Sequence, residues 1–382
     1  MSELVNARKT TKDFHWRLLT TASAIALLAN ACGAGNARAS DDDGDQPQIW
    51  IELGGQLSRL NDGQETFSPP LMAERPSAFS PSGKFEKLPL SSIDETGKIA
   101  FEPSGSDWIF SGSVRFGRSS SNRDVRQETN PKPFTEYGQS GGRVVFNPVA
   151  SQFADTAVHN NEQHLIADFQ VGKDVGFGMF GKHGSSVLNL GVRFAQFSNK
   201  SNVTLQSDPN WHFTTKYLPN GLAILHQAFH TNRANLLAER NFHGIGPSLS
   251  WNGSAPFAGN SQDGKVSFDG GLNAAVLFGR QRARIHHQST GRYRPLELGS
   301  EAGPFYVTSQ PLPADKTRAR TITVPNVGGF AGLTFRLQNF KVSAGYRADM
   351  FFHAMDGGID TRKSENVGFY GPFATISVGI GG

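Results

Sequence analysis

From Ile49 onward, apolar and polar residues alternate with a period of two. In 49–58 one face carries Ile49, Ile51, Leu53 and Leu57, and the other carries Glu52, Gly54, Gln56 and Ser58, with Trp50 out of phase. In 108–117 Trp108, Phe110, Val114 and Phe116 oppose Ser111, Ser113, Arg115 and Gly117. The same reading holds for Leu165–Gly172, Leu188–Ala195, Val266–Phe278, Ala331–Leu337, Val342–Asp349 and Tyr370–Ile380. A less regular segment from Leu236 to Trp251 is interrupted by Pro247. Period two at this length predicts half-buried β-strands rather than helices. These nine segments, with a tenth expected in the Pro-rich 61–105 region around Lys98–Phe101, predict about ten strands, with eight and twelve as the bounds.

The polar faces separate a soluble sandwich from a barrel in lipid. They carry Ser, Gly, Asn and isolated Arg or Asp, which suits a narrow interior better than an open surface, and a transmembrane barrel turns its apolar band outward. Strands of about 10–13 residues match a tilted crossing of the hydrocarbon. An even strand count places both termini on the periplasmic side. Short turns are then expected at Asn339, 181–184 and 256–264, and long extracellular loops at 119–162, 206–235 and 288–325. The fold class read from the sequence is therefore all-β, an antiparallel transmembrane barrel spanning 49–382, with a short acidic segment at 40–48 before it.

Residues 1–39 read as a secretory signal. Arg8, Lys9, Lys12 and Arg17 precede an apolar stretch from Leu18 to Ala31, and Ala37-Arg38-Ala39 offers a small-x-small cleavage site. Cys32 raises lipidation as a rival, but Ala29-Asn30-Ala31 lacks the bulky aliphatic usual three residues before a lipidated Cys. The leader carries five basic and two acidic residues, so its removal lowers the formal charge from +4 to +1. The basic balance of the full chain is thus a property of the leader and gives no reason to expect nucleic acid. The 382 residues contain a single Cys, inside the leader, so the mature chain has no disulfide available. With 43 Gly, 29 Phe and only 18% charged residues, the composition departs from that of an ordinary cytosolic domain.

Three segments, Trp108-Ile-Phe-Ser-Gly-Ser-Val-Arg-Phe-Gly117, His164 to Gly172 with Gly191-Val-Arg193-Phe-Ala-Gln-Phe197, and Phe242-His-Gly244-Ile-Gly246-Pro247, resemble the Legionella-type major outer-membrane protein family, also described as pore-forming. The closing run from Gly371 to Gly381 looks like the last strand of a Gram-negative outer-membrane barrel. The resemblance implies an outer-membrane barrel and, through the family description, a pore. One departure is the ending Gly381-Gly382, where many such barrels end in the Phe or Tyr read by the assembly machinery. The insertion signal then falls to Phe373, Ile376, Val378 and Ile380.

The charged residues on the polar faces are the candidate site. Glu52, Arg115, Asp168, Arg193, Asp269, Arg336, Arg347 and Asp349 are assigned to the lumen, because an Arg or Lys facing lipid at the midplane costs about 2–4 kcal/mol. Two roles follow for them: pairing across the lumen as a structural plug, or lining a water-filled passage whose selectivity they tune. Other motifs read as bland. Gly176-Phe-Gly178-Met-Phe-Gly181 matches a dinucleotide fingerprint, but strand rather than helix follows it. His226 and His230 sit four apart in a stretch able to form one helical turn, without a third ligand at motif spacing; His159 and His286-His287 carry as little. A rim hydrolase drawn from His164, Ser186 and Asp168 is a nearly free choice among abundant residue types.

The expected function is an outer-membrane barrel, non-enzymatic and without cofactor or metal, passing small polar solutes through a narrow lumen. A non-conducting structural or adhesin barrel acting through extracellular loops is the second reading, and an outer-membrane lipid hydrolase the third. The expected partners are outer-membrane lipid and lipopolysaccharide, the assembly machinery and further copies of the chain.

Overall fold

The computed structural model describes residues 48–62, 91–104, 106–129, 134–137, 143–148, 152–176, 185–208, 211–217, 223–260, 264–296, 306–310, 316–358 and 363–380. The leader, its cleavage site and Cys32 lie outside them. Fourteen strands run in chain order: β1 (Gln48–Asp62), β2 (Ser91–Glu102), β3 (Trp108–Thr129), β4 (Phe134–Tyr137), β5 (Arg143–Pro148), β6 (Gln152–Asp174), β7 (Ser185–Asp208), β8 (Trp211–Tyr217), β9 (Ala223–Asn260), β10 (Gly264–Leu296), β11 (Tyr306–Gln310), β12 (Lys316–Leu337), β13 (Phe340–Asp356) and β14 (Ser364–Ile380).

Ten of these close a ring, in the order β1, β2, β3, β6, β7, β9, β10, β12, β13, β14, all neighbours antiparallel. The seam is β14 on β1, in register from Ile49↔Ile380 to Asp62↔Val367. The expected tenth strand is β2, whose Lys98 and Phe101 pair with Glu52 and Ile49. Closure leaves no edge in the ring, which is what lets a sheet stand in hydrocarbon with every backbone group satisfied. Among the described residues no helix is long and apolar enough to cross a membrane.

The connections at 103–107, 175–184, 261–263 and 338–339 lie at the end that also holds Gln48 and Ile380. Gly259 and Gly264 flank the connection at 261–263 with φ of +87° and +109°, a left-handed backbone that glycine adopts at no steric cost. Of the Gly176–Gly181 motif only Gly176 lies among the described residues; its amide donates to Asp174 Oδ1 at 2.9 Å, and Ser185 opens the next described segment as a strand.

The opposite end differs from the sequence reading. The stretches 119–162, 206–235 and 288–325, expected as loops, consist largely of strand. β3 and β6 pair on from Ser119↔Glu162 to Thr129↔Gln152, and β9 and β10 run 38 and 33 residues. The small strands β4, β5, β8 and β11 add to this extension. The expected length of 10–13 residues measured only the part that meets lipid. Above it the outer face turns polar while the inner face still buries Val203, Leu236, Ala238 and Ile285, so the lipid-facing row ends while the backbone ladder continues. His226 and His230 accordingly sit in β9, paired with Phe213 and Tyr293, and not in a helical turn.

Outward positions between the two ends are exposed and apolar, among them Phe110, Phe169, Leu190, Leu272, Phe278 and Ile376. Trp108 and Trp251 face outward near the periplasmic end, where indole rings favour an interface. Leu272, with 64% of its surface exposed, sits in mid-band on β10. Leu272→Arg is expected to destabilise the barrel by about 2–4 kcal/mol in phospholipid vesicles, measured by urea titration of tryptophan fluorescence.

Candidate functional site: the filled lumen

The inner positions carry the chemistry, and they sort into tiers along the barrel axis. At the periplasmic end Glu52 accepts from Ser377 at 3.1 Å, and Asp269 accepts from Ser254, Ser267 and Thr334 at 2.6, 2.8 and 2.5 Å. The Arg336 guanidinium, exposed at this mouth, lies over the Trp50 ring at 4.9 Å. Trp50 breaks the alternation of β1 for this reason: it faces inward as the partner of a cation.

The middle tier is a network of charges. Arg193 grips Asp168 with Nε and Nη2 at 2.7 and 3.0 Å, and donates through Nη1 to Asn273 at 2.6 Å and to Asn326. Arg115 on β3 reaches Asp349 on β13 at 2.7 Å, so this ion pair crosses the barrel between strands far apart in the ring. Arg347 packs its guanidinium over Phe373 at 4.9 Å and Phe330 at 5.9 Å. A Cβ at Gly328 would collide with the Asp349 carboxylate, so glycine there leaves the room that Asp349 occupies.

Above the charges the lumen turns apolar. Phe197 of β7, Phe242 of β9, Phe351 of β13 and Phe369 of β14 are at most 1% exposed, and Leu277, Val324 and Met355 pack with them. Phe197 meets Phe369 at 5.5 Å between centroids and Phe351 edge-on at 4.8 Å. β7 and β14 stand on opposite sides of the ten-strand ring, so this contact spans the lumen.

Against the plug sits a buried charge cluster that the sequence reading did not assemble. The His164 ring lies 4.1 Å from that of Phe369, with Nε2 at 3.2 Å from Asp94 and Nδ1 at 3.1 Å from Glu162. Asp94 also accepts from Ser58 at 2.5 Å and from Ser92. Each imidazole nitrogen faces a carboxylate, with Nδ1 hydrogen-bonded to Glu162 and Nε2 at ion-pair distance from Asp94. At the extracellular end of the lumen, Arg240 pairs with Glu365 at 3.1 Å, and Arg318 holds Asp356 through Nε at 3.0 Å. Arg320 donates to Gln281 and Ser364 at 2.8 and 2.6 Å.

All eight charged residues expected in the lumen project to the inner face. All eight lie in the two lower tiers, six as partners of polar protein groups and Arg336 and Arg347 resting on aromatic rings. The three residues considered for a hydrolase are not brought together. His164 and Asp168 are separated by about 13 Å of strand, Asp168 is committed to Arg193, and Ser186 sits at the other end, accepting from Trp251 Nε1 at 2.7 Å. A signal for the plug was present as phase errors. Phe197, Phe351, Phe369 and Phe373 stand on the faces that carry Arg193, Asp349 and Ser377, out of step with the lipid-facing rows.

The family described as the Legionella pneumophila major outer membrane protein precursor matches residues 119–380. The chain belongs to that family. Membership and the closed barrel together place this family member in the outer membrane. No curated protein matches it. Among solved structures it is similar to the outer membrane protease OmpT of Escherichia coli, with 10% identity, 90% of this chain and 99% of that one covered, and a TM-score of 0.27. The transport unit of the Escherichia coli autotransporter AIDA-I follows with 9% identity, coverage of 93% and 97%, and a TM-score of 0.16. The translocator domain of NalP from Neisseria meningitidis gives 10%, 94% and 96%, and 0.18. Scores this low say nothing of activity.

Proposed function

We propose that this outer-membrane barrel is closed and non-enzymatic, and that it acts through the sheet it raises above the membrane. The observation that supports this is the contact of Phe197 with Phe369 across the lumen, backed by the Arg115–Asp349 pair below it. Small barrels are filled by their side chains, and here the filling is both charged and aromatic. The polar partners inside are engaged with one another rather than held open to solvent. The role assigned to the extended strands is structural or adhesive, toward surfaces outside the cell.

The test is electrical. Purified wild-type protein in planar bilayers is expected to give no stepwise conductance at moderate voltage, while migrating as a folded, heat-modifiable barrel. Steady ion-selective steps, altered by Arg115→Ala or Arg347→Ala, overturn the closed reading.

They also establish the second one, a porin-like passage for small polar solutes, which the mixed charges of the lower tiers favour. In that case the aromatic tier is a constriction that gates by excluding water.

A further inference from the structure

The outer wall changes character abruptly along β10. Its outward positions from Val266 to Phe278 carry no polar side chain, and the next four are Arg280, Arg282, Arg284 and His286, all exposed. Across the β10–β12 ladder these arginines face Thr321, Ala319 and Thr317, which are small and uncharged. Across the β9 ladder they face His243, Asn241 and Glu239. Glu239 already has the Lys200 ammonium at 3.3 Å. Among the described residues, Arg280 and Arg282 thus stand in a row with Arg284 beside the Lys200–Glu239 pair. A cleft of about 290 Å³ opens there, lined by Leu237, Glu239, Arg284 and His286.

Position tells what such a row meets. Each outward step is about 6.8 Å of strand, or about 5 Å of height at a 45° tilt. Arg280 and Arg282 therefore stand within about 10 Å of the last lipid-facing residue, where headgroups lie above the hydrocarbon. A row of exposed guanidiniums at this height offers an anion several donors at once. Guanidinium is also the side chain whose planar fork matches phosphate with two parallel hydrogen bonds.

We propose that the outward arginine row of β10 binds the phosphorylated headgroup of an outer-leaflet lipid of the lipopolysaccharide class, whose acyl chains lie along Phe278, Val276 and Ile245. The site is on the outer wall and is independent of whether the lumen conducts.

The experiment uses the whole barrel in phosphatidylcholine nanodiscs, titrated with bisphosphorylated lipid A and with its dephosphorylated form, with bound lipid counted by native mass spectrometry. Wild type is expected to prefer the phosphorylated lipid by about 10-fold or more, given the strength of charge-assisted hydrogen bonds. The combined Arg280→Gln, Arg282→Gln, Arg284→Gln variant is expected to bind both lipids alike, and Arg282→Gln alone to show an intermediate preference, which serves if the triple variant does not fold. Millimolar inorganic phosphate is expected to leave the lipid bound. Equal binding of the two lipids by wild type, a preference unchanged in the folded variants, or complete displacement by inorganic phosphate would each overturn the proposal.

Discussion

Combining Phe197→Ala with Phe369→Ala is expected to open a conducting path through the lumen and to weaken the fold at the same time. The two rings meet at 5.5 Å from opposite walls and neither is more than 1% exposed. Truncating a buried Phe to Ala costs about 3–5 kcal/mol through lost contacts and the cavity left behind. Because the rings touch, the pair is expected to cost less than the sum of its single variants. The space vacated lies between the charged middle tier and the Arg240–Asp356 tier, so water entering it finds polar groups on both sides. Urea titration in vesicles reads the stability loss, and planar-bilayer recording reads the new conductance. A double variant that stays silent and resists urea like wild type counts against the plug.

His164→Leu is expected to destabilise the barrel by about 3–5 kcal/mol, because it leaves two buried carboxylates facing each other without the cation between them. Asp94 and Glu162 are within 3.2 Å and 3.1 Å of the ring they would lose. Adding Asp94→Asn and Glu162→Gln to His164→Leu removes the charges together with their partner, and is expected to recover most of the loss. The recovery separates an electrostatic penalty from simple mispacking against Phe369. The comparison is made on urea midpoints of the single and the triple variant. A single variant as stable as wild type, or a triple variant no better than the single, refutes this account.

The barrel was legible in the sequence because lipid imposes a rule on one face only. Wherever a strand crosses hydrocarbon, as from Val266 to Phe278, every second residue is apolar, and that period survives without knowledge of any contact. The β2 strand was harder to see: Lys98 and Ala100 lie inward, Gly97 weakens the outward row, and only closure of the ring between β1 and β3 demands it. Strand length was misread for the opposite reason. Past Arg118 and Arg280 water bathes the outer face, so the sheet continues through residues that look like loop.

The lumen was legible in part. Its charges were assigned by exclusion from lipid, which fixes the face a residue occupies but not its partner. The pairing of Arg115 with Asp349 depends on barrel diameter and strand tilt, quantities no single strand encodes. His164, Asp94 and Glu162 come from two strands that are not neighbours, β2 and β6, so no local spacing announces their meeting. The phenylalanines on the wrong face of β7, β13 and β14 were the readable clue. Apolar residues out of phase at the same height on opposing strands mark a lumen that closes on itself.

The β9–β10 hairpin holds one register, apart from a bulge at Val266/Ser267, from its periplasmic turn to Gln227 opposite Leu296. Seventeen residue steps of β9 separate Gln227 from Gly244, next to Ile245 where the lipid-facing row stops, and at about 3.4 Å each they make a ladder of ~58 Å. Tilted, it still lifts its tip roughly 40 Å clear of the bilayer. Whatever approaches this hairpin from outside the cell therefore meets hydrogen-bonded sheet, already ordered before any contact is made.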